Sequence, residues 1–221
     1  MYKTNNLLNL NYTVAKNYLE KYEYPWEAIP EIKNFILEIG RELDKQEYEE
    51  IKENVWIHKS TSVDENVVII GPAIIGKESQ IRHCAYIREN VIIGEGCTIG
   101  NSCEIKNSII FDNSQVPHFN YVGDSLMGYR SHMGAGSIVS NLKSDKSNIT
   151  VRNVDEKIDT NLRKFGAIIG DGVEIGCNSV LNPGTIVGRN SNVYPLARVR
   201  GVVPENSIYK DEDNIVEKRN D

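Results

Sequence analysis

The sequence has no run of eighteen apolar residues, which excludes a membrane-spanning helix. Its amino terminus, with polar Lys3, Thr4, Asn5 and Asn6, lacks the apolar core of a secretory leader, so a cytoplasmic protein is the default expectation. Basic residues are not in excess. The 25 Lys and Arg face 31 Asp and Glu, a formal net charge of −6, so neither nucleic acid nor an anionic membrane is the expected partner. The four cysteines, Cys84, Cys97, Cys103 and Cys177, show no metal-ligand spacing, and the four histidines, His58, His83, His118 and His132, lack the close pairing a metal centre needs. No metal is expected. Charged residues at 25% and apolar residues at 40% describe an ordinary globular chain, and 221 residues suffice for one sizeable domain plus an appendage.

What the sequence does have is a period of six. Aliphatic or aromatic residues stand at Ile57, Val63, Ile69, Ile75, Ile81, Ile87, Ile93, Ile99, Ile105 and Phe111. Neither the 3.6 period of a helix nor the period 2 of a half-buried strand produces this spacing. A parallel β-helix of hexapeptide repeats does: each six-residue unit forms one flat side, three sides close a coil, and the repeated residue points inward. The fourth residue after each repeat position is mostly small or β-branched: Thr61, Val67, Ala73, Ser79, Ala85, Val91, Cys97, Cys103, Ile109. It reads as a second inward slot, in which Cys97 and Cys103 are small buried hydrophobes. Gly76, Gly94 and Gly100 follow repeat residues, as open corners would require.

Taken in order, residues 1–52 read as a helical amino-terminal cap. One helix is expected over Tyr12 to Tyr22. A second starts near Pro30 and carries the apolar stripe Ile32, Phe35, Ile36, Ile39 and Leu43. The pair would cover the exposed strand edge of the first coil. Residues 53–204 read as the β-helix. Its rhythm breaks at Pro117, resumes with Met127, Met133 and Val139 displaced by four residues, and is interrupted by a polar excursion over about 142–164. An insertion of that length usually serves an interface or a site. The run Ile169, Ile175, Leu181, Val187, Val193, Val199 completes the coils, and 205–221 reads as a polar tail with a short strand or helix.

Chemistry is sought where the repeat is broken. Arg88 and Lys106 each follow an inward Ile and lie 18 residues apart, one full coil, so they should stack about 5 Å apart on the outer face. Stacked like charges favour an anion between them. The plainer alternative is a solvated pair, or one neutralised by Glu89 or Glu104. His118 follows the proline that breaks the rhythm; it is either structural or a general base working near neutral pH. Tyr121 and Asn141 offer hydrogen bonds on neighbouring outward faces.

The segments Val116-Pro-His-Phe-Asn-Tyr-Val-Gly-Asp-Ser-Leu-Met-Gly, Met133-Gly-Ala-Gly-Ser-Ile, Asn141 and Arg163-Lys-Phe-Gly-Ala-Ile-Ile-Gly-Asp resemble a known family. It is the carboxyl-terminal acetyltransferase domain of bifunctional N-acetylglucosamine-1-phosphate uridylyltransferases, and above all of the archaeal-type sugar-1-phosphate nucleotidylyltransferase/acetyltransferases. The resemblance covers about residues 53–204. It implies a left-handed parallel β-helix, a homotrimer, and acetyl-CoA-dependent N-acetylation of glucosamine-1-phosphate or galactosamine-1-phosphate between subunits. By matched position, His118 would be the general base. Arg88, Lys106, Tyr121, His132 and Asn141 would bind the sugar phosphate, and Ala135, Cys177 and Pro195 would line the acetyl-CoA groove. The chain departs from the family's usual residues at His132, Leu142 and Pro195. No Leu-Ala-Ala-Gly-x-Gly-Thr-Arg type loop stands in residues 1–52, so a nucleotidyltransferase activity is not expected of this chain.

Two further readings stay open. A non-catalytic trimeric scaffold, working beside a separate nucleotidyltransferase, would keep the β-helix without turnover. A metal-dependent lyase of the carbonic-anhydrase type uses a similar β-helix but needs converging histidines.

Overall fold

The computed structural model describes residues 2–153 and 156–219. The expected excursion and tail extend over 154–155 and 220–221, which lie outside the described residues. The chain is mainly β, a parallel β-helix of hexapeptide repeats whose strands pair coil upon coil. Three columns of strands make three sides. One includes Val55–His58, Ala73–Ile75, Val91–Ile93, Ala167–Ile169 and Thr185–Val187. We call it the strap side. The second, the histidine side, includes Gln80–Ile81, Thr98–Asn101, Gln115–His118, His132–Met133 and Glu174–Ile175. The third, the cation side, includes Val68–Ile69, Tyr86–Ile87, Ile138–Val139 and Val180–Leu181.

The interior is the six-residue column read from the sequence. Ile57, Ile69, Ile75, Ile81, Ile87, Ile93, Ile99 and Ile105 are all buried in one core, with Cys97 and Cys103 in the small slots. Each buried aliphatic side chain contributes roughly 1.5–3 kcal/mol relative to exposure, which is why so regular a pattern can fix a fold.

The pattern fails ten residues before Pro117. Ile105 pairs with Ile87, 18 residues back, but Ser108 pairs with Val91, only 17 back. One residue has been lost at the corner that contains Asn107, whose φ is 45°. Ile110, not Ile109 or Phe111, is therefore inward, while Ile109 and Phe111 pack outside on the strap side. The rhythm then runs Ile110, Val116, Val122, so Pro117 does not interrupt it. Val122 to Met127 is again five residues, and that corner contains Asp124 at φ 50°. Two one-residue losses are a shift of minus two, which in a cycle of six is the displacement of four seen in the sequence. At both short corners a single strand runs through without a break, Glu104–Ile110 and Tyr121–Met127, joining the cation side to the strap side.

Residues 2–47 do not cover the first coil. They run along the strap side as an irregular strap, because that side presents an outward apolar column: Trp56, Ile74, Ile92, Ile109, Leu126, Ile168 and Ile186. Trp26, Ile29, Ile32, Phe35 and Ile36 bury against it. The expected helix over Tyr12–Tyr22 reduces to the single turn Lys16–Leu19, preceded by the 3₁₀ turn Leu10–Tyr12. Tertiary contacts override propensity there: Tyr12 stacks on Tyr129 with ring centroids 3.7 Å apart, and its carbonyl accepts from the Asp112 N–H at 3.1 Å. The second helix is real but later, Ile32–Gly40, entered through the 3₁₀ segment Pro25–Glu31.

Antiparallel strands cover the terminal edges instead. Tyr48–Lys52 pairs with Val55–His58 at the first coil, and Asn214–Glu217 with Ser207–Asp211 at the last. The excursion forms the antiparallel pair Thr150–Arg152 and Lys157–Asp159. Its buried residues Ile149 and Val151 join the strap-side cluster with Phe165.

Candidate active site

On the cation side, Arg88 lies beside Lys106, and Lys106 pairs in register with Gly123. The stacking expected from the 18-residue spacing is present. Each cation also has carboxylates. The Arg88 guanidinium lies 3.0 Å from Glu104 Oε1 and 3.6 Å from Glu89 Oε1, and its bond to Glu104 pushes its pKa further up. Lys106 Nζ lies 3.8 Å from Asp124 Oδ1. Two cations thus face three carboxylates, which is the neutralised arrangement that the sequence left open.

Tyr121 and Asn141 come together here as well. Asn141 Nδ2 donates to Tyr121 Oη at 3.1 Å and makes a short hydrogen bond to Asp124 Oδ2. Burial, with the nearby Asp124 charge second, pushes the Tyr121 phenol up. Gly123 leaves the room for this arrangement: a Cβ there would lie 2.4 Å from Tyr121 Oη and 2.9 Å from Asn141 Nδ2.

His118 stands around the corner, at the end of Gln115–His118 on the histidine side. Its imidazole makes no hydrogen bond among the described residues. Its backbone is held twice: its N–H donates to Asn120 Oδ1 at 3.0 Å, and its carbonyl accepts from Gly136 at 2.9 Å. Asn120 occupies the small inward slot, 2% exposed, and its Nδ2 donates to Gly134 O at 2.8 Å and Ser137 Oγ at 2.9 Å. It pins the corner between His118 and Tyr121. Between them Phe119, at φ 53°, is 61% exposed. A bulky residue is uncommon in the left-handed region, although other corners of this β-helix, such as Arg130 at φ 54°, share it.

Ala135, Cys177 and Pro195 continue the His118 column upward, as the backbone bonds Asn178 N to Ala135 O and Leu196 N to Cys177 O show, each 2.9 Å. Leu196, next to Pro195, repeats the Phe119 geometry at φ 63° and is 79% exposed. His132 sits farther along the same side. Its Nδ1 lies 2.9 Å from Glu174 Oε2, and both line a polar groove of about 590 Å³ with Arg130 and Gln115. The structure therefore gathers Arg88, Lys106, Tyr121 and Asn141 on one side. It places His118, Ala135, Cys177, Pro195 and His132 on the next, with no hydrogen bond or ion pair between the two sets among the described residues. Among those residues no three His, Cys, Asp or Glu converge as a metal site.

Residues 69–182 match the family described as the GMPPB C-terminal domain. The chain belongs to that family. Residues 166–201 of this GMPPB C-terminal domain relative also match the bacterial transferase hexapeptide pattern of six repeats. It is 34% identical over 217 residues, 92% of the chain and 50% of the relative, to the bifunctional protein GlmU of Methanococcus maripaludis. It is 37% identical over 137 residues, 62% of the chain and 33% of the relative, to GlmU of Methanococcus vannielii. With the bifunctional sugar-1-phosphate nucleotidylyltransferase/acetyltransferase of Sulfurisphaera tokodaii it shares 35% over 167 residues, 67% of the chain and 42% of the relative. The chain spans half or less of the length of these relatives.

Three residues of the site were not singled out from the sequence. Asn107 and Asp124 sit at the shortened corners, and Asn120 fills an inward slot. The first two were signalled by the phase shift, which marks a local loss of residues. Asn120 was signalled by a polar residue at a position that Ala85, Cys97 and Cys103 fill with small apolar groups.

Proposed function

We propose that this chain is an acetyl-CoA-dependent N-acetyltransferase acting on an amino-sugar 1-phosphate, glucosamine-1-phosphate or galactosamine-1-phosphate, in nucleotide-sugar synthesis. The observation that carries the reading is the column Arg88, Lys106, Gly123 with Tyr121 and Asn141 folded over it, one corner from the His118 imidazole, which makes no hydrogen bond among the described residues. Arg88 and Lys106 bind the phosphate by charge-assisted hydrogen bonds. Tyr121 and Asn141 orient the sugar. The amine attacks the thioester carbonyl, His118 takes the amine proton, and the coenzyme leaves as its thiolate, which is then protonated. A backbone N–H steadies the oxyanion. Ala135, Cys177 and Pro195 line the coenzyme groove; His132, matched by the resemblance to the sugar set, lies on this side instead, tied to Glu174. The exposed Phe119 and Leu196 beside the His118 column fit a subunit seam, consistent with a homotrimer whose sites lie between copies.

The scaffold reading is favoured by one observation: both site cations are already matched by Glu89, Glu104 and Asp124. The test is thiol release from acetyl-CoA in the presence of each sugar phosphate. Turnover is expected, with His118→Ala slower by about 10²-fold or more while the assembly mass by light scattering is unchanged. Absence of turnover and of saturable coenzyme binding would leave the scaffold. Equal turnover in the variant would remove His118 from the reaction.

A further inference from the structure

Asp124 is 3% exposed. A buried carboxylate is costly unless it is paired and hydrogen-bonded. Its position in the turn does not require the charge. Asn90, Asn107 and Gly184 also turn in the left-handed region, at φ 65°, 45° and 81°, and all are neutral. Asn is among the residues that adopt this conformation most readily, so an amide at 124 would make the same turn.

What a carboxylate does and an amide does not is accept on both oxygens. Asp124 Oδ1 takes Asn107 Nδ2 at 2.8 Å and faces Lys106 Nζ at 3.8 Å. Oδ2 takes Asn141 Nδ2 in the short bond already described. Asn141 in turn reaches Tyr121 Oη at 3.1 Å. Lys106, whose side chain is only 14% exposed, is otherwise unpaired among the described residues. One carboxylate therefore sets the position of an ammonium and, through Asn141, of a phenol, three groups that reach the outer face over Gly123. The second short corner brings it there. Losing a residue between Val122 and Met127 draws residue 124 in beneath Asn141 and beside Lys106.

We propose that Asp124 is a positioning residue that holds Lys106, Asn141 and, through Asn141, Tyr121 in the arrangement that receives the phosphorylated sugar. The inference rests on the amino-sugar phosphate reading of the cation side. Asp124 acts through these groups and does not touch the reacting atoms.

The test compares Asp124→Asn with the unaltered chain in two ways. In steady-state kinetics the variant is expected to raise KM for the sugar phosphate by about tenfold or more, with kcat within about threefold and KM for acetyl-CoA unchanged. Independently of activity, reductive methylation followed by peptide mass mapping should show Lys106 modified several-fold faster in the variant, because its ammonium is released. Asn107→Gly keeps the left-handed turn and removes only one donor to the carboxylate. It should move both readouts the same way by less, and it serves if Asp124→Asn does not fold. An unchanged Lys106 rate and an unchanged sugar-phosphate KM in either folded variant would overturn the proposal. So would equal losses for both substrates with a lowered Tm, which is the mark of a structural role. If the unaltered chain acetylates neither sugar phosphate, the functional reading fails, while the methylation arm still decides whether Asp124 positions Lys106.

Discussion

The strap side and the cation side repeat one inward aliphatic pattern and differ in what points out. On the strap side the outward column is Trp56, Ile74, Ile92, Ile109, Leu126, Ile168 and Ile186, and residues 2–47 lie over it. On the cation side the residues just after the inward positions are Arg88, Lys106 and Gly123, and what folds over Gly123 is polar, Tyr121 and Asn141. The repeat specifies a prism. The outward residues decide which side is sealed by the chain itself and which is left for a ligand or another copy.

The largest effect expected from that contrast is in stability. Trp26 is 2% exposed at the centre of the strap contact and lies 5.9 Å from Phe165, ring to ring. Trp26→Ala should cost about 3–5 kcal/mol of unfolding free energy by urea titration. Arg88→Ala should cost less than about 1 kcal/mol, because its ion pairs are about one-third exposed and screened, yet raise KM for the sugar phosphate. Comparable losses in the two variants would erase the distinction between a sealed and an open side.

Gly123→Ala probes the open side more gently. The added methyl meets Tyr121 Oη at 2.4 Å, so the phenol must swing away and its bond with Asn141 breaks. KM for the sugar phosphate should rise about tenfold, roughly 1.4 kcal/mol, with a small change in Tm. A KM within twofold of the parent would mean that Tyr121 does not orient the sugar.

Much of this contrast was present in the sequence. The inward period is visible because it is strict from Ile57 to Ile105. The sealed side was also written, as paired aliphatics where the repeat needs one: Ala73-Ile74-Ile75, Val91-Ile92-Ile93, Ala167-Ile168-Ile169. An outward Ile every 18 residues marks a covered face, and that period was hidden under the period of six. The stacking of Arg88 on Lys106 follows from spacing alone. The pairing of Arg88 with Glu104 was open as one alternative; that of Lys106 with Asp124 was not, because it depends on the corners that lost residues at Asn107 and Asp124. The helix expected over Tyr12–Tyr22 failed for a related reason. Local propensity is weak there, and the contacts that win, Tyr12 on Tyr129 and on Asp112, lie about a hundred residues away in sequence.

The smallest expected effect concerns how the strap is fastened at its amino-terminal end. Asp171 accepts from Asn9 N at 2.7 Å and Tyr129 N at 2.9 Å, and meets Arg189 Nε at 3.2 Å. Burial nonetheless pushes its carboxyl above the usual aspartate range, only partly offset by those bonds. Asp112, which donates its N–H to Tyr12, is pushed up by burial too. A carboxyl raised in the folded state binds its proton more tightly there than in the unfolded chain. Its contribution is therefore present below the ordinary aspartate pKa and is lost as pH rises through the folded value. Each group should lower stability as pH rises across that window, opposite in sign to a salt-bridged carboxylate. Amide exchange at Asn9 and Tyr129, followed by mass spectrometry from pH 4 to 6 and corrected for intrinsic rates, should show the strap end opening more as pH rises. Asp171→Asn should flatten that trend. If opening instead decreases as pH rises, the Arg189 charge outweighs burial, and Asp171 fastens the strap as an ordinary ion pair.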